Sequence, residues 1–147
     1  MPDAALSAED RLDVMGVLAS YALCLDSGDV EGLLENFHAD AVLDHIAGRA
    51  VGHAGIRQWA EGLMNGGRVG GTPAQLRHFV GLPYVEGDGE RCTAQTYSTI
   101  LTYDAEKAVT VPLVGSYHDT LTKRDGRWRI QARTIKGDLG RAGRPRE

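Results

Sequence analysis

The sequence predicts an α+β fold, with helices laid on one face of an antiparallel sheet. Three observations predict it. Helical periodicity is confined to residues 7–64. Four long strand-like runs follow, Gln75–Glu86, Arg91–Tyr103, Ala108–Lys123 and Arg127–Lys136. Turn chemistry separates the runs: Asp88-Gly89 and Asp125-Gly126 are hairpin signals, and Asp104 to Lys107 makes a looser turn. Consecutive hairpins make a meander, and helices first with strands after place the helices on one face of the sheet. The 147 residues suit one domain, with its core at about 8–136 and a tail at 137–147.

Ser7 is the expected N-cap of the first helix, Ser7 to Asp26, with Glu9 and Asp10 favourably placed in its first turn. Its inner stripe is expected to run Leu12, Met15, Ala19, Ala22 and Asp26. Ser27-Gly28 breaks it. Asp29 caps a short second helix, Val30 to Phe37, with Leu33, Leu34 and Phe37 facing in. Ala41 to Ile46 reads as a strand that Gly48 turns. Gly52 to Met64 reads as a third helix, carried inward by Ile56, Trp59, Ala60 and Leu63. Asn65 to Pro73 holds four glycines and few anchors, so a mobile loop or a flap is expected there. It lacks the glycine patterns that cradle phosphate. In the third long run Val109, Val111, Leu113, Tyr117 and Leu121 share a face; in the last, Trp128, Ile130 and Ala132 do.

Composition narrows the function. The net charge is −4, with both signs scattered along the chain, which argues against a phosphate-binding surface and so against nucleic acid. The one basic cluster, Arg141, Arg144 and Arg146, lies in the tail. No stretch of about 18 apolar residues predicts a membrane span. The acidic start, Met1 to Asp13, is not read as a signal peptide. Cys24 and Cys92 form no metal or redox motif, and a reducing, cytoplasmic compartment is the simplest expectation. His38, Asp40, Asp44 and His45 include ligand types but lack the paired histidines of a helical zinc site, so no metal is expected. His53 and His118 read as surface residues.

Two polar residues interrupt apolar faces. Asp26 continues the first helix's inner stripe. His78 sits among Leu76, Val80, Leu82 and Tyr84 on one face of a strand. An unpaired buried carboxylate costs several kcal/mol or takes up a proton, so each is a fitting answer to the other. A structural hydrogen bond inside a filled core is the competing account.

The order of elements, with Gly115-Ser116-Tyr117-His118-Asp119, then Arg124-Asp125-Gly126-Arg127-Trp128-Arg129-Ile130, then Tyr21 to Asp29 and Leu76 to Val80, resembles the SnoaL-like branch of the nuclear transport factor 2-like superfamily. That branch includes scytalone dehydratase, hexachlorocyclohexane dehydrochlorinase and bile acid 7α-dehydratase. The resemblance implies a cone-shaped α+β barrel whose curved, mainly antiparallel sheet encloses a pocket. It also implies that Asp26 and His78 form a catalytic pair, that Tyr21 serves as an acid and that Arg133 stands near a leaving group. Two departures stand out. Leu25 and His45 replace the tyrosines that hold a water in scytalone dehydratase. Arg133 shares strand parity with Arg129 and Gln131, so alternation does not favour an inward aim unless a bulge or a two-sided pocket wall re-aims it.

From these residues a cofactor-independent elimination is expected, a dehydratase or dehydrohalogenase reaction on a small, apolar, oxygenated and polycyclic or terpenoid molecule. His78 would be the base, Asp26 its orienter, Tyr21 a hydrogen-bond donor and Arg133 a stabiliser of negative charge. Leu18, Leu25, His45, Trp59, Leu63, Val80, Tyr117 and Asp119 are the expected substrate contacts, with Asp119 in a supporting place. Isomerisation or cyclisation of a polyketide in the same cavity, and a non-catalytic ligand-binding module, remain open alternatives. By resemblance, the face carrying Tyr97, Ile100 and Val114 is expected to pair copies into a homodimer or homotrimer.

Overall fold

The computed structural model describes residues 5–66, 68–69, 72–73, 75–103, 106 and 108–138. Three helices come first: α1 (Ala8–Ser27), α2 (Val30–Glu35) and, after β1 (Phe37–His45) and β2 (Gly48–Val51), α3 (Gly52–Gly66). A two-stranded ladder follows, β3 (Arg68–Val69) with β4 (Thr72–Pro73). The meander is β5 (Gln75–Val80), β6 (Tyr84–Gly87), β7 (Arg91–Tyr103), β8 (Val109–Arg124) and β9 (Arg127–Gly137). The strand order is β2-β1-β9-β8-β7-β5, with β6 pairing β7 beyond β5. All pairs are antiparallel except β1 with β9. The result is the cone: helices packed on a curved, mostly antiparallel sheet.

The caps form as the residues dictate. Ser7 accepts from the Asp10 amide at 3.0 Å, and Asp29 accepts from the Gly32 amide at 2.9 Å. Gly28 ends α1 in the left-handed region at φ 76°, its amide donating to the Cys24 carbonyl. Asp125 and Gly126 both take positive φ, as the tight hairpin between β8 and β9 requires. A Cβ on Gly115 would lie 2.0 Å from the Lys136 carbonyl oxygen, so only glycine lets β8 and β9 approach there.

Several expectations are corrected. The buried stripe of α1 is Val14, Leu18, Tyr21, Ala22 and Leu25, while Leu12 is 68% exposed. The helix carries two interleaved apolar rows, and the core takes the one with the larger side chains. Phe37 is buried but belongs to β1 rather than to the second helix. The run from Gln75 to Glu86 breaks into β5 and β6, so Leu82 and Tyr84 leave the face they were expected to share with His78 and stand exposed. Val109 and Val111 are exposed too, where β8 runs past the core. Ile100 has the opposite parity to Tyr97 and turns inward. His53 is half-buried, its Nε2 2.9 Å from the Phe37 carbonyl oxygen.

The glycine-rich stretch holds the β3–β4 ladder; Gly67, Gly70 and Gly71 lie outside the described residues, as do most of the turn at 104–107 and the arginine cluster of the tail.

The base of the core is tied by Asp10. It accepts from Lys123 Nζ at 2.8 Å, Trp128 Nε1 at 2.7 Å and Ser7 Oγ at 2.9 Å. These bonds join the start of α1 to the β8–β9 hairpin and hold the Asp10 carboxyl down to about 2, Lys123 being the largest cause.

Candidate functional site

Asp26 lies one residue before the end of α1, and His78 lies in the middle of β5. The Asp26 Oδ1 is 2.5 Å from His78 Nδ1, and Oδ2 accepts from the His78 backbone amide at 2.8 Å. Both side chains are nearly enclosed, at 10% and 3% exposed. Two contacts to one carboxylate leave the imidazole little freedom. With Nδ1 engaged, Nε2 is the nitrogen that a ligand can meet.

His78 faces a cavity of about 200 Å³. Its floor is Ile100 of β7, Leu113 and Tyr117 of β8, and Ile135 of β9. Trp59 and Leu63 of α3 and Tyr21 of α1 cover it. His45, which ends β1, and Ile46 and Ala47 of the turn after it complete the lining. The His45 and Trp59 rings lie 5.9 Å apart at 33°. The volume is below the usual range for drug-sized ligands and suits a compact molecule.

Behind the tyrosines lies a buried ion pair. Arg133 Nε donates to Asp119 Oδ1 at 2.7 Å, and Nη2 to Oδ2 at 2.8 Å, both side chains fully enclosed. The guanidinium sits in the corner between two rings that meet edge to face at 76°, 4.0 Å from the Tyr21 centroid and 4.2 Å from that of Tyr117. The inward aim comes from a register shift: Thr120 pairs Ala132, but Leu121 pairs Ile130, so Gln131 is the extra residue of a bulge. That bulge reverses parity between Ile130 and Arg133, both of which are buried.

Burial pushes the Tyr21 phenol well above its ordinary value, with Arg133 offsetting only part, and it raises Tyr117 as well. Both hydroxyls therefore keep their protons at neutral pH. The Tyr21 Oη, Thr96 Oγ1, Ser98 Oγ and Arg133 Nη1 are buried without a hydrogen-bond partner among the described residues.

Of the expected site residues, His78, Tyr21, His45, Trp59, Leu63 and Tyr117 line the cavity, and Asp26 stands directly behind His78. Arg133, Asp119, Leu18, Leu25 and Val80 do not line it. Leu18 and Leu25 are spent on the core, and Val80 packs beside it. Arg133 and Asp119 support the tyrosines from behind. Sequence reasoning missed Ile46, Ala47, Ile100, Leu113 and Ile135. Two of them follow once the register is known: His78, Ile100 and Leu113 fall on one row across β5, β7 and β8. Among the described residues, no three His, Cys, Asp or Glu side chains gather as metal ligands would. No helix among the described residues is long and apolar enough to cross a membrane.

Comparison with known proteins supports the fold. The family model described as "SnoaL-like domain" matches residues 6–134. The fold is similar to a Nostoc punctiforme protein of unknown function with a cystatin-like fold, at 26% identity and TM-score 0.79, covering 90% of this chain and 94% of that one. It is similar to Aln2 from a Streptomyces species, at 26% identity and TM-score 0.79, covering 90% and 93%. It is also similar to an NTF2-like protein with a cystatin-like fold from Novosphingobium aromaticivorans, at 25% identity and TM-score 0.76, covering 92% and 86%. Among curated proteins, the sequence finds no match.

Proposed function

The chain belongs to the SnoaL-like domain family, within the nuclear transport factor 2-like superfamily, and on that footing we propose that it is a lyase eliminating water or hydrogen halide from a small apolar molecule by means of the Asp26–His78 pair. SnoaL-like domains bind small molecules, and the cavity is the place for one here. The observation that carries the reading is the 2.5 Å contact that commits His78 Nδ1 to Asp26 while the ring faces an apolar cavity.

The chemistry follows from the tautomer. Asp26 holds the proton on Nδ1, so the Nε2 lone pair is free to take a proton from the carbon next to a carbonyl. The C–H electrons form the enolate. Collapse of the enolate makes the C=C bond and breaks the bond to the β-hydroxyl. The imidazolium returns its proton to that oxygen, which departs as water. Asp26 steadies the positive ring between the two steps. This reading assigns the leaving oxygen to the Tyr21 hydroxyl, which is protonated and without a protein acceptor but enclosed in the free chain, so the substrate must open its way to it. Arg133 acts through Tyr21 and Tyr117 rather than on the substrate: its stacked guanidinium fixes both rings and favours negative charge nearby. No step is routed through a metal or an organic cofactor.

A cavity of about 200 Å³ favours one or two fused rings over a larger polycycle. Cyclic β-hydroxy ketones of that size are the compounds to screen, following the rise of enone absorbance. The reading expects turnover by the native protein and none by a folded His78→Gln variant. Equal turnover by both refutes it. Isomerisation or polyketide cyclisation is the second reading, favoured by family membership, and it uses the same base without a leaving group. A third reading, a non-catalytic ligand-binding module, gains if compounds bind in the cavity unchanged.

Self-association belongs on the outer sheet face, where Tyr97 is 77% and Phe79 63% exposed. Sedimentation velocity, with a shift to monomer in Tyr97→Lys, checks it.

A further inference from the structure

His45 and His78 line one cavity from well-separated strands of the sheet, and their hydrogen-bond partners call for opposite tautomers. The backbone amide of Ala47 donates to His45 Nδ1 at 3.2 Å. A backbone amide can only donate, so Nδ1 must present its lone pair, and in the neutral ring the proton sits on Nε2. At His78 the logic is inverted: Nδ1 donates to Asp26 and Nε2 keeps its lone pair. The two histidines approach from different sides. His45 ends β1 and His78 sits on β5, and β9, β8 and β7 lie between them in the sheet. Both rings line the cavity. Apart from the Tyr21 and Tyr117 rings, the remaining wall is hydrocarbon and indole, with Ile46, Trp59, Leu63, Ile100, Leu113 and Ile135 the larger members.

We propose that His45 is the donor to the substrate's carbonyl oxygen, a neutral imidazole whose Nε2–H holds the oxygen on which charge develops when His78 removes the neighbouring proton. The inference rests on the elimination reading for the identity of that charge, but not for the donor itself. A neutral imidazole suits this place, because it stabilises the enolate by a hydrogen bond and does not compete with His78 by giving up a proton outright. Trp59, tilted against the His45 ring, restricts its rotation. The substrate is thereby narrowed to a compact ketone or aldehyde with its carbonyl at the β1 wall and its acidic C–H at the β5 wall. Tyr21 is left for the leaving oxygen.

Two measurements test this. Long-range proton–nitrogen NMR on protein labelled with ¹⁵N histidine reads the tautomers directly, and His45 is expected as Nε2–H with His78 as Nδ1–H. Ligand-observed NMR titration then compares acetophenone, which can only accept, with α-methylstyrene, which replaces C=O by C=CH₂. The native protein is expected to prefer the ketone. His45→Phe, which keeps a planar ring against Trp59, is expected to lose about tenfold in ketone affinity, the worth of one hydrogen bond, with the alkene unaffected. His45→Gln, which retains an N–H, is expected to recover part of the loss and guards against a folding defect in the first variant. An Nδ1–H tautomer at His45, no preference for the ketone, or a preference that survives in His45→Phe overturns the proposal. Elimination with undiminished rate in His45→Phe would sink this inference and leave the lyase reading intact. A His45-dependent ketone preference without turnover of any β-hydroxy ketone would do the reverse.

Discussion

Asp26 binds His78 twice, through Oδ1 to the ring Nδ1 at 2.5 Å and through Oδ2 to the backbone amide at 2.8 Å. The last turn of α1 and the middle of β5 are thus joined by one carboxylate. The second contact matters as much as the first, because it fixes where the strand carries the ring as well as how the ring turns.

Replacing Asp26 by Asn keeps the size but removes the charge and allows the wrong tautomer. Turnover is expected to fall by about 10²–10⁴-fold, mostly in kcat, as when the orienting carboxylate of a histidine base is lost. Steady-state kinetics on a compound that the native protein converts checks this. A loss confined to KM would point to binding instead.

Arg133→Met should destabilise the fold by about 3–5 kcal/mol, because it strands the Asp119 carboxylate in a fully enclosed site. The pair Arg133→Met with Asp119→Leu should recover much of that loss, since the uncompensated charge is gone. Urea unfolding of both variants reads the difference. Recovery of stability without recovery of activity would mark the ion pair as a support for Tyr21 and Tyr117 rather than a mere packing element.

Asp10 gives a pH dependence with a defined sign. Its folded pKa, about 2, lies below the ordinary carboxylate value of 3.8. The folded state therefore binds fewer protons than the unfolded one across that window, and stability rises with pH there. The contribution is complete above about 4 and is lost as pH falls through about 2. Trp128→Phe removes one of the donors to Asp10 and is expected to move the acid-unfolding midpoint upward. Far-ultraviolet circular dichroism against pH follows it. An unchanged midpoint would show that Lys123 alone holds the carboxylate.

Much of the fold was legible because its signals are local. Caps at Ser7 and Asp29 and the turn at Asp125-Gly126 are written in residues next to the structure they make. The pair at the centre of the site was legible for a related reason. A lone polar residue on an apolar face stands out by parity alone, and two of them imply each other.

The rest depended on information that periodicity does not hold. The first helix carries two apolar rows, and packing against β5, α2 and β9 selects Val14, Leu18, Tyr21 and Leu25 over Leu12. Arg133 reads as outward on strict alternation, and one extra residue, Gln131, turns it in. Ile100 was within reach, since three residues from Tyr97 is an odd step and therefore the opposite face. Leu18 and Leu25 are apolar and inward, as expected of pocket residues. Whether an inward residue meets a ligand or another side chain depends on how far the sheet curls away from the helix, and composition does not record that.

Proton exchange at carbon is the most direct test of His78 as a base. Cyclic ketones that bind in the cavity, incubated in deuterium oxide, should lose their α-proton signal by NMR faster with the native protein than without it. A folded His78→Gln variant should do no better than buffer. Exchange catalysed by the native protein and abolished in that variant is the predicted result. Exchange that persists in His78→Gln, or bound ketones that never exchange with the native protein, would contradict the assignment.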